Sequence, residues 1–498
     1  MKSASQGLKR QAALVVLGDA ISFAASFVSS MLLARVIALE TMGSWQQVAY
    51  LTTMWASVLE MGISTSVYRF WVRFPDAERA VFARMLIAGT ATCGVVAMAS
   101  LAVAAPVLSQ LYGNRELLTL LLIGVAIPGV RIPLQLIRPV MICQGASLRA
   151  TMVETVLSVA TTLALVVPCM MGRSLAYALV MRVLITLPFL VLIPLVFAGV
   201  LQRAGRWWSR AIFAEVWGYL WPIQIARISG HLVNYLDKVV MSVVAGPGPF
   251  AIYSLGAREI PFIGQIGSSI SSVLIPRLIS DIDEQNWGEV KRRWAAACTS
   301  TAMLTYPIAT FCMVQAVPIM RLLFSDVYRE SAIPFRIFAA TTILRVVEYA
   351  SLAKAMGRTD LIMRSSFISG GALLLLAPLL GWWWGPMGMA MAVLLAHVSN
   401  AGYLLTSYWR QIPGSLHTFY PWPRLLTILG LAMSVHIASG YLMGGRLQID
   451  EEGRFILLAA KLAILFVPGA AVYLIGLHLL GYLQWGHRWW SKARWRLS

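Results

Sequence analysis

Fifteen charged side chains fall inside stretches that are otherwise almost wholly apolar. Nine are basic (Arg131, Arg138, Arg182, Arg227, Lys238, Arg258, Arg336, Arg345 and Lys461) and six acidic (Asp19, Glu60, Glu154, Asp237, Glu259 and Glu348). Against lipid, each would cost roughly 3 kcal/mol near the bilayer centre. They must therefore face protein or water, or reach an interface, as Arg336 and Glu154 near stretch ends are expected to do by snorkelling. The densest pattern is Gln224, Arg227, His231, Asn234 and Asp237, spaced 3, 4, 3 and 3, which shares one helical face. Arg131, Gln135 and Arg138, spaced 4 and 3, share a second, on a segment interrupted by Pro128, Pro133 and Pro139. Arg345 and Glu348 lie one turn apart; Gln46, Tyr50, Thr53, Glu60 and Ser64 run along one face, and Asp19, Ser22, Ser26 and Ser29 along another.

Arginine's planar fork suits phosphate and carboxylate, so these patterns predict a hydrophilic cavity with an arginine-rich wall. Its expected lining is Arg131, Gln135, Arg138, Arg227, His231, Asn234, Arg258 and Arg345. The competing expectation is local pairing that locks helices together: Asp237 with an arginine, Arg345 with Glu348. Carboxylates held out of water can carry a proton or bind sodium, a role open to Asp19, Glu60, Asp237 and Glu348. No catalytic motif competes. No Lys follows a Gly, so there is no phosphate-binding Walker loop, and neither H-E-x-x-H nor G-x-S-x-G occurs. Asp281-x-Asp283 reads as a solvated helix start, and His397, His436 and His478 read as packed residues. The five cysteines lie in or beside apolar runs without metal-site spacing, so no metal or resident cofactor is expected.

The elements that must hold these residues are membrane spans. Of 498 residues, 59% are hydrophobic and 12% charged, about half the usual 25%. That excludes a soluble enzyme, a nucleic-acid-binding module and a disordered regulator. Fourteen segments are long and apolar enough to span: near 12–34, 44–66, 85–110, 118–142, 151–171, 176–200, 220–244, 251–275, 296–319, 333–353, 365–384, 387–408, 425–444 and 455–482. The first is too long for the apolar core of a signal peptide. With the N-terminus in the cytosol, inner loops carry 24 Lys and Arg and outer loops 7. The net charge of +19 is therefore a topology and membrane-surface signal rather than a nucleic-acid footprint.

Spans 1–6 and 7–12 echo each other. Ala38-Leu-Glu-Thr-Met-Gly43-Ser-Trp45 corresponds to Ala245-Gly-Pro-Gly-Pro-Phe-Ala-Ile-Tyr253, and Gly172-Arg-Ser-Leu-Ala-Tyr to Gly385-Pro-Met-Gly-Met-Ala. Each block starts inside and holds an even number of spans, so the repeats are parallel. The expected plan is an all-α polytopic protein: an N-lobe at 1–213, a C-lobe at 214–424, and two extra spans with a basic cytoplasmic tail at 425–498.

This 6+6+2 plan resembles the polysaccharide-transport, Wzx-type oligosaccharide flippase branch of the multidrug/oligosaccharidyl-lipid/polysaccharide (MOP) flippase superfamily. The segments nearest to it are Met31-Leu-Leu-Ala-Arg-Val-Ile-Ala-Leu-Glu-Thr-Met-Gly43, Leu236-Asp-Lys-Val-Val-Met-Ser-Val-Val-Ala-Gly-Pro-Gly-Pro-Phe-Ala-Ile-Tyr253 and Leu322-Leu-Phe-Ser-Asp-Val-Tyr328. The resemblance implies two six-helix lobes around a central cavity, alternating access, and a bulky lipid-linked glycan as cargo. It implies a bacterial inner-membrane location and, as partners, membrane lipids, a polysaccharide polymerase and a chain-length regulator. The alternatives on the same architecture are a lipid II flippase and a cationic-drug antiporter, which an arginine-rich cavity disfavours. A polymerase or membrane glycosyltransferase is a further alternative, disfavoured because the longest outer loop, about 320–332, is too small for catalysis.

Overall fold

The computed structural model describes residues 2–202, 206–260, 263–345, 349–413, 420–444, 455–480 and 482. Side chains are described throughout these except at 2–13, 16, 222, 223, 225–234, 442–444 and 455–461. Every element among the described residues is helical. The chain divides into two compact units, Met1–Ala251 and Ile252–Ser498.

The N-terminal unit holds α1 (Lys2–Val36), α2 (Leu39–Leu59), α3 (Ile63–Arg73), α4 (Asp76–Leu111), α5 (Arg115–Gly124), α6 (Ala126–Leu134), α7 (Ile137–Cys143), α8 (Ser147–Met170), α9 (Leu175–Thr186), α10 (Leu192–Leu201), α11 (Arg210–Ala245) and the start of α12 (Pro247–Gly256). Local chemistry explains the breaks. Between α2 and α3 the chain passes through Met61 (φ +55°) and Gly62 (φ +68°), left-handed conformations that no helix continues. Pro128, Pro133 and Pro139 lie in the segment that is divided into α5, α6 and α7. Starts are capped where a side-chain oxygen can accept a free amide: Asn114 from Leu117, Ser174 from Tyr177, Ser209 from Ile212. α1 packs on α8, α8 on α9, and α11 on α2 and α3. The two turns that echo each other in sequence meet here: a Cβ on Gly43 would lie 1.9 Å from the carbonyl oxygen of Pro247.

The C-terminal unit continues with α13 (Ile263–Asp283), α14 (Trp287–Val314), α15 (Ala316–Phe324), α16 (Ala332–Leu344), α17 (Ala350–Ala355), α18 (Thr359–Gln411) and two last helices, Trp422–Gly444 and Phe455–Leu479. α14 is its axis, packed against α13, α16 and Trp422–Gly444. The 53-residue α18 is two helices folded at Gly385 (φ +54°, ψ −132°), followed by Pro386. Asp281 lies in the last turn of α13, not at a helix start, and it is buried in an ion pair with Arg293 at 2.7 Å. The reading as a solvated helix start is thus corrected: the turn that follows returns Arg293 over the helix end, where it shields the carboxylate from water.

Among the described residues, nine helical stretches are long and apolar enough to cross a membrane, and the folded α18 is one of them. The protein is a multi-pass membrane protein. The described residues of the expected segments 44–66, 220–244, 251–275 and 333–353 are mainly helical too.

Candidate functional site

Polar faces of seven helices close a cavity of about 890 Å³ inside the N-terminal unit, within the usual range for ligand pockets. α1 contributes Ser26, Ser29 and Ser30; α2 contributes Gln46, Thr53, Ser57 and Glu60. α3 adds Ser64 and Thr65, α8 adds Ser158, Thr161 and Thr162, and α6, α7 and α9 bring three arginines. Tyr50, grouped with the α2 face by spacing, instead buries its hydroxyl, which donates to Tyr112 Oη at 2.7 Å.

The three arginines are held differently. Arg138, on α7, donates from Nη1 to Glu154 Oε2 at 2.5 Å and from Nη2 to Asp19 at 3.0 Å. It ties α7 to α1 and α8, and its charge is spent on two carboxylates. Glu154, expected to snorkel, is drawn inward because this guanidinium lies within reach. Arg131, on α6, has only the Thr53 hydroxyl at 3.4 Å. Arg182, on α9, places Cζ 5.3 Å from the Trp45 ring centroid, a stacking geometry that leaves the guanidinium edge available. Among the described residues neither Arg131 nor Arg182 is in an ion pair. Two uncompensated guanidinium groups in one hydroxyl-lined space repel each other, and an anion between them would relieve that repulsion.

Glu60 is 4% exposed at the α2–α3 break. Gln135, with its amide turned to donate, reaches both Glu60 oxygens at 2.6 and 3.0 Å. Arg131, Gln135, Arg138 and Glu60 are thus brought to one wall, and Asp19 is held by Arg138. Asp237, on α11, is buried with Lys238 Nζ at 3.4 Å. Arg258 and Arg345 belong to the C-terminal unit. Arg258 lies over the Phe324 ring at 5.8 Å, and Arg345 pairs with Glu259 at 2.5 Å. The other half of the expected Arg345–Glu348 pair, Glu348, lies outside the described residues. So do the side chains of Arg227, His231 and Asn234, although their backbone is helical.

Sequence spacing missed Arg182 and Trp45. Arg182 is a lone cation in an apolar span, without polar neighbours at helical intervals. The signal that could have found it is that isolation, since a single unpaired charge in a span needs a polar destination. His436 is fully buried between Phe311 and Phe466, with ring centroids at 5.4 and 6.3 Å. Among the described residues no group of three or more His, Cys, Asp or Glu is placed to hold a metal ion.

Comparison with known structures gives the fold. A lipid II flippase MurJ in an inward closed conformation superposes with TM-score 0.70 at 13% identity, covering 93% of this chain and 99% of that one. An inward-facing multidrug resistance MATE family transporter of the MOP superfamily gives TM-score 0.59 at 14% identity, over 79% and 96%. A MOP superfamily transporter from Pyrococcus furiosus, described as having a binding pocket of reverse polarity that suggests a different function, gives 0.52 at 12%, over 80% and 94%. No curated protein matches the chain in sequence. Residues 32–333 match the family described as "Polysaccharide biosynthesis protein". With that match over most of its helical body, and with the MOP flippase fold, the chain belongs to the polysaccharide biosynthesis protein family.

Proposed function

We propose that the protein is a flippase that moves an undecaprenyl-pyrophosphate-linked oligosaccharide from the cytoplasmic to the periplasmic leaflet of the bacterial inner membrane, for exopolysaccharide, capsule or O-antigen synthesis. The observation that carries this reading is the pair Arg131 and Arg182, in no ion pair among the described residues, in a cavity whose lining also holds serine and threonine hydroxyls, Gln46, Gln135, Glu60 and apolar side chains. A diphosphate offers oxygens to both forks, and the hydroxyl wall suits a sugar's own hydroxyls. A cationic drug would meet repulsion there. The polarity of the pocket, rather than the fold, thus separates this cargo from that of a drug exporter.

Transport follows alternating access between two lobes, 1–213 and 214–424, with 425–498 as an accessory pair of spans and tail. Both termini lie in the cytosol, and fourteen spans cross the membrane. Arg227, His231, Asn234, Arg258 and Arg345 are proposed to meet the cargo as well, and Arg138 to hold the cavity wall. Among Asp19, Glu60, Asp237 and Glu348, the carboxylates open to H⁺ or Na⁺ coupling, Glu60 is foremost because it sits on the cavity wall beside neutral Gln135. A polymerase and a chain-length regulator would receive the product.

A deletion strain tests the reading. It should lose a surface or secreted polysaccharide while lipid-linked repeat units accumulate on the cytoplasmic side. Arg131→Ala and Arg182→Ala should fail to restore export, and Arg→Lys should restore it partly, since a point charge keeps attraction but loses the fork. Accumulated lipid II would indicate the lipid II cargo instead, dye sensitivity with normal polysaccharide a drug antiporter, and missing repeat units an assembly enzyme. Reporter fusions at Asn114, Gly248 and Ser325 should report periplasm, and at Glu284 and His487 cytoplasm; reversal at two sites would overturn the topology.

A further inference from the structure

The first three turns of α11 carry two adjacent stripes. Ile212, Val216 and Leu220 are buried in the core of the N-terminal unit. Beside them Phe213, Trp217 and Trp221, each four residues apart, are exposed. The exposed rings form a continuous ladder with Trp208: 4.9 Å from Trp208 to Phe213, 5.7 Å on to Trp217 and 5.8 Å on to Trp221, the last two nearly coplanar pairs. At its head stand exposed Arg206 and Arg210, neither in an ion pair among the described residues. Arg84 stacks on exposed Trp207 at 5.5 Å and bonds the carbonyls of Leu201 and Arg206, which braces this head.

An ordinary interfacial belt does not account for this shape. Belt tryptophans sit at one depth, in headgroup zones about 5–7 Å thick on each side. This ladder runs along the helix axis and rises about 12 Å from Phe213 to Trp221, so it leads from the basic head toward hydrocarbon. The helix has 36 residues, about 54 Å at 1.5 Å per residue, well beyond the roughly 30 Å hydrocarbon core. Its first turn therefore has room to stand in the headgroup layer, with the far end of the ladder entering the hydrocarbon where a lipid tail lies.

We propose that this ladder is a docking track for the isoprenoid diphosphate carrier of the cargo: the diphosphate at Arg206 and Arg210, the first unsaturated isoprene units along Trp208, Phe213, Trp217 and Trp221. Flat trisubstituted alkenes stack on aromatic faces better than saturated chains do, and the head charges complement a diphosphate. The inference rests on the reading that the cargo hangs from a polyprenyl diphosphate, and it adds a binding site outside the cavity.

The test is native mass spectrometry of the full chain carrying Arg131→Ala and Arg182→Ala, so that the two cavity arginines outside any described ion pair contribute no phosphate site. Glycan-free undecaprenyl diphosphate and phosphatidylglycerol are the probes. We expect undecaprenyl diphosphate to bind at least tenfold more tightly than phosphatidylglycerol. Trp217→Leu/Trp221→Leu, which keeps the face apolar, should remove that preference and leave phosphatidylglycerol binding unchanged. Arg206→Gln/Arg210→Gln, in and beside an exposed loop, should weaken undecaprenyl diphosphate tenfold without affecting undecaprenol, and so supplies the answer should the leucine variant not fold. Equal binding of the two lipids, or no effect of either variant, overturns the proposal. Failure here leaves the cavity reading intact, since that is judged by export in strains with an unaltered ladder.

Discussion

The two units use the same helical material for opposite ends. In the N-terminal unit polar side chains converge on open space, with Arg131, Arg182, Glu60 and a dozen hydroxyls around one cavity. In the C-terminal unit several buried tyrosines and threonines are turned on the backbone. Tyr408 Oη donates to the carbonyl of Tyr349 at 2.7 Å and accepts from the amide of Ala353 at 3.2 Å. Tyr349 Oη donates to Leu344 O at 2.6 Å, and Tyr473 Oη to Met303 O at 3.1 Å. On α14, Thr299, Thr301, Thr305 and Thr310 bond the carbonyl four residues back. The most apolar stretch of α14 is 67% buried, against 11% for the stretch within 175–201. One helix is thus a packed axis and the other mostly a surface. A repeated chain plan sets where helices run; the side chains decide whether polarity serves packing or a ligand.

The sharpest way to break this comparison is at the packed axis. Trp294 is fully buried and meets Tyr408 edge-on at 6.4 Å. Trp294→Ala should cost about 3–5 kcal/mol, read as a large fall in Tm of the purified protein in detergent. A small change would mean that α14 is not the structural axis. Next in size is Gly43→Ala. Its Cβ would meet the Pro247 carbonyl, a backbone atom that cannot rotate away, at a cost of about 1–3 kcal/mol. That result would place the rigid point of the N-terminal unit in the turn that the repeat shares, away from the cavity.

Arg138 gives a smaller effect with a diagnostic rescue. Its side chain is 33% exposed and those of Asp19 and Glu154 are 46% exposed, so solvent screens the triad and Arg138→Gln should cost only about 1 kcal/mol. The loss arises because two carboxylates then face each other without a cation. Adding Asp19→Asn and Glu154→Gln should therefore recover most of the Tm. If the triple variant stays as unstable as the single one, the guanidinium acts through packing rather than charge.

Much of this was legible in the sequence for a physical reason. Membrane spans announce themselves by length and apolarity, and the cost of a lipid-facing charge points each intraspan arginine toward protein or water. The spacing of Arg131, Gln135 and Arg138 therefore identified one wall of the cavity. Partner choice was not legible, because it depends on which helices become neighbours. Nothing in the order of residues says that Arg138 meets Asp19, more than a hundred positions away, or that Arg345 meets Glu259, eighty-six positions away. Arg182 escaped because periodicity rewards clusters on one helix, whereas its polar surroundings come from α2 and α6. Asp281 misled because a D-x-D motif looks solvated until the returning helix covers it.

The smallest expected stability effect carries the comparison furthest. Arg131→Gln and Arg182→Gln remove side chains that, among the described residues, have a hydroxyl and a ring for company and no carboxylate. No partner is left behind unpaired, and the repulsion between the two cations is relieved. The Arg182 stack on buried Trp45 is worth about 0.5–1 kcal/mol and the relieved repulsion offsets part of it, so thermal stability should stay within about 1 kcal/mol of the parent. Export should nevertheless fall sharply if, as proposed, these two groups meet the cargo. A matching fall in Tm would make these arginines part of the scaffold, and the contrast between a unit whose polar side chains line a cavity and one whose tyrosines bond the backbone would no longer hold.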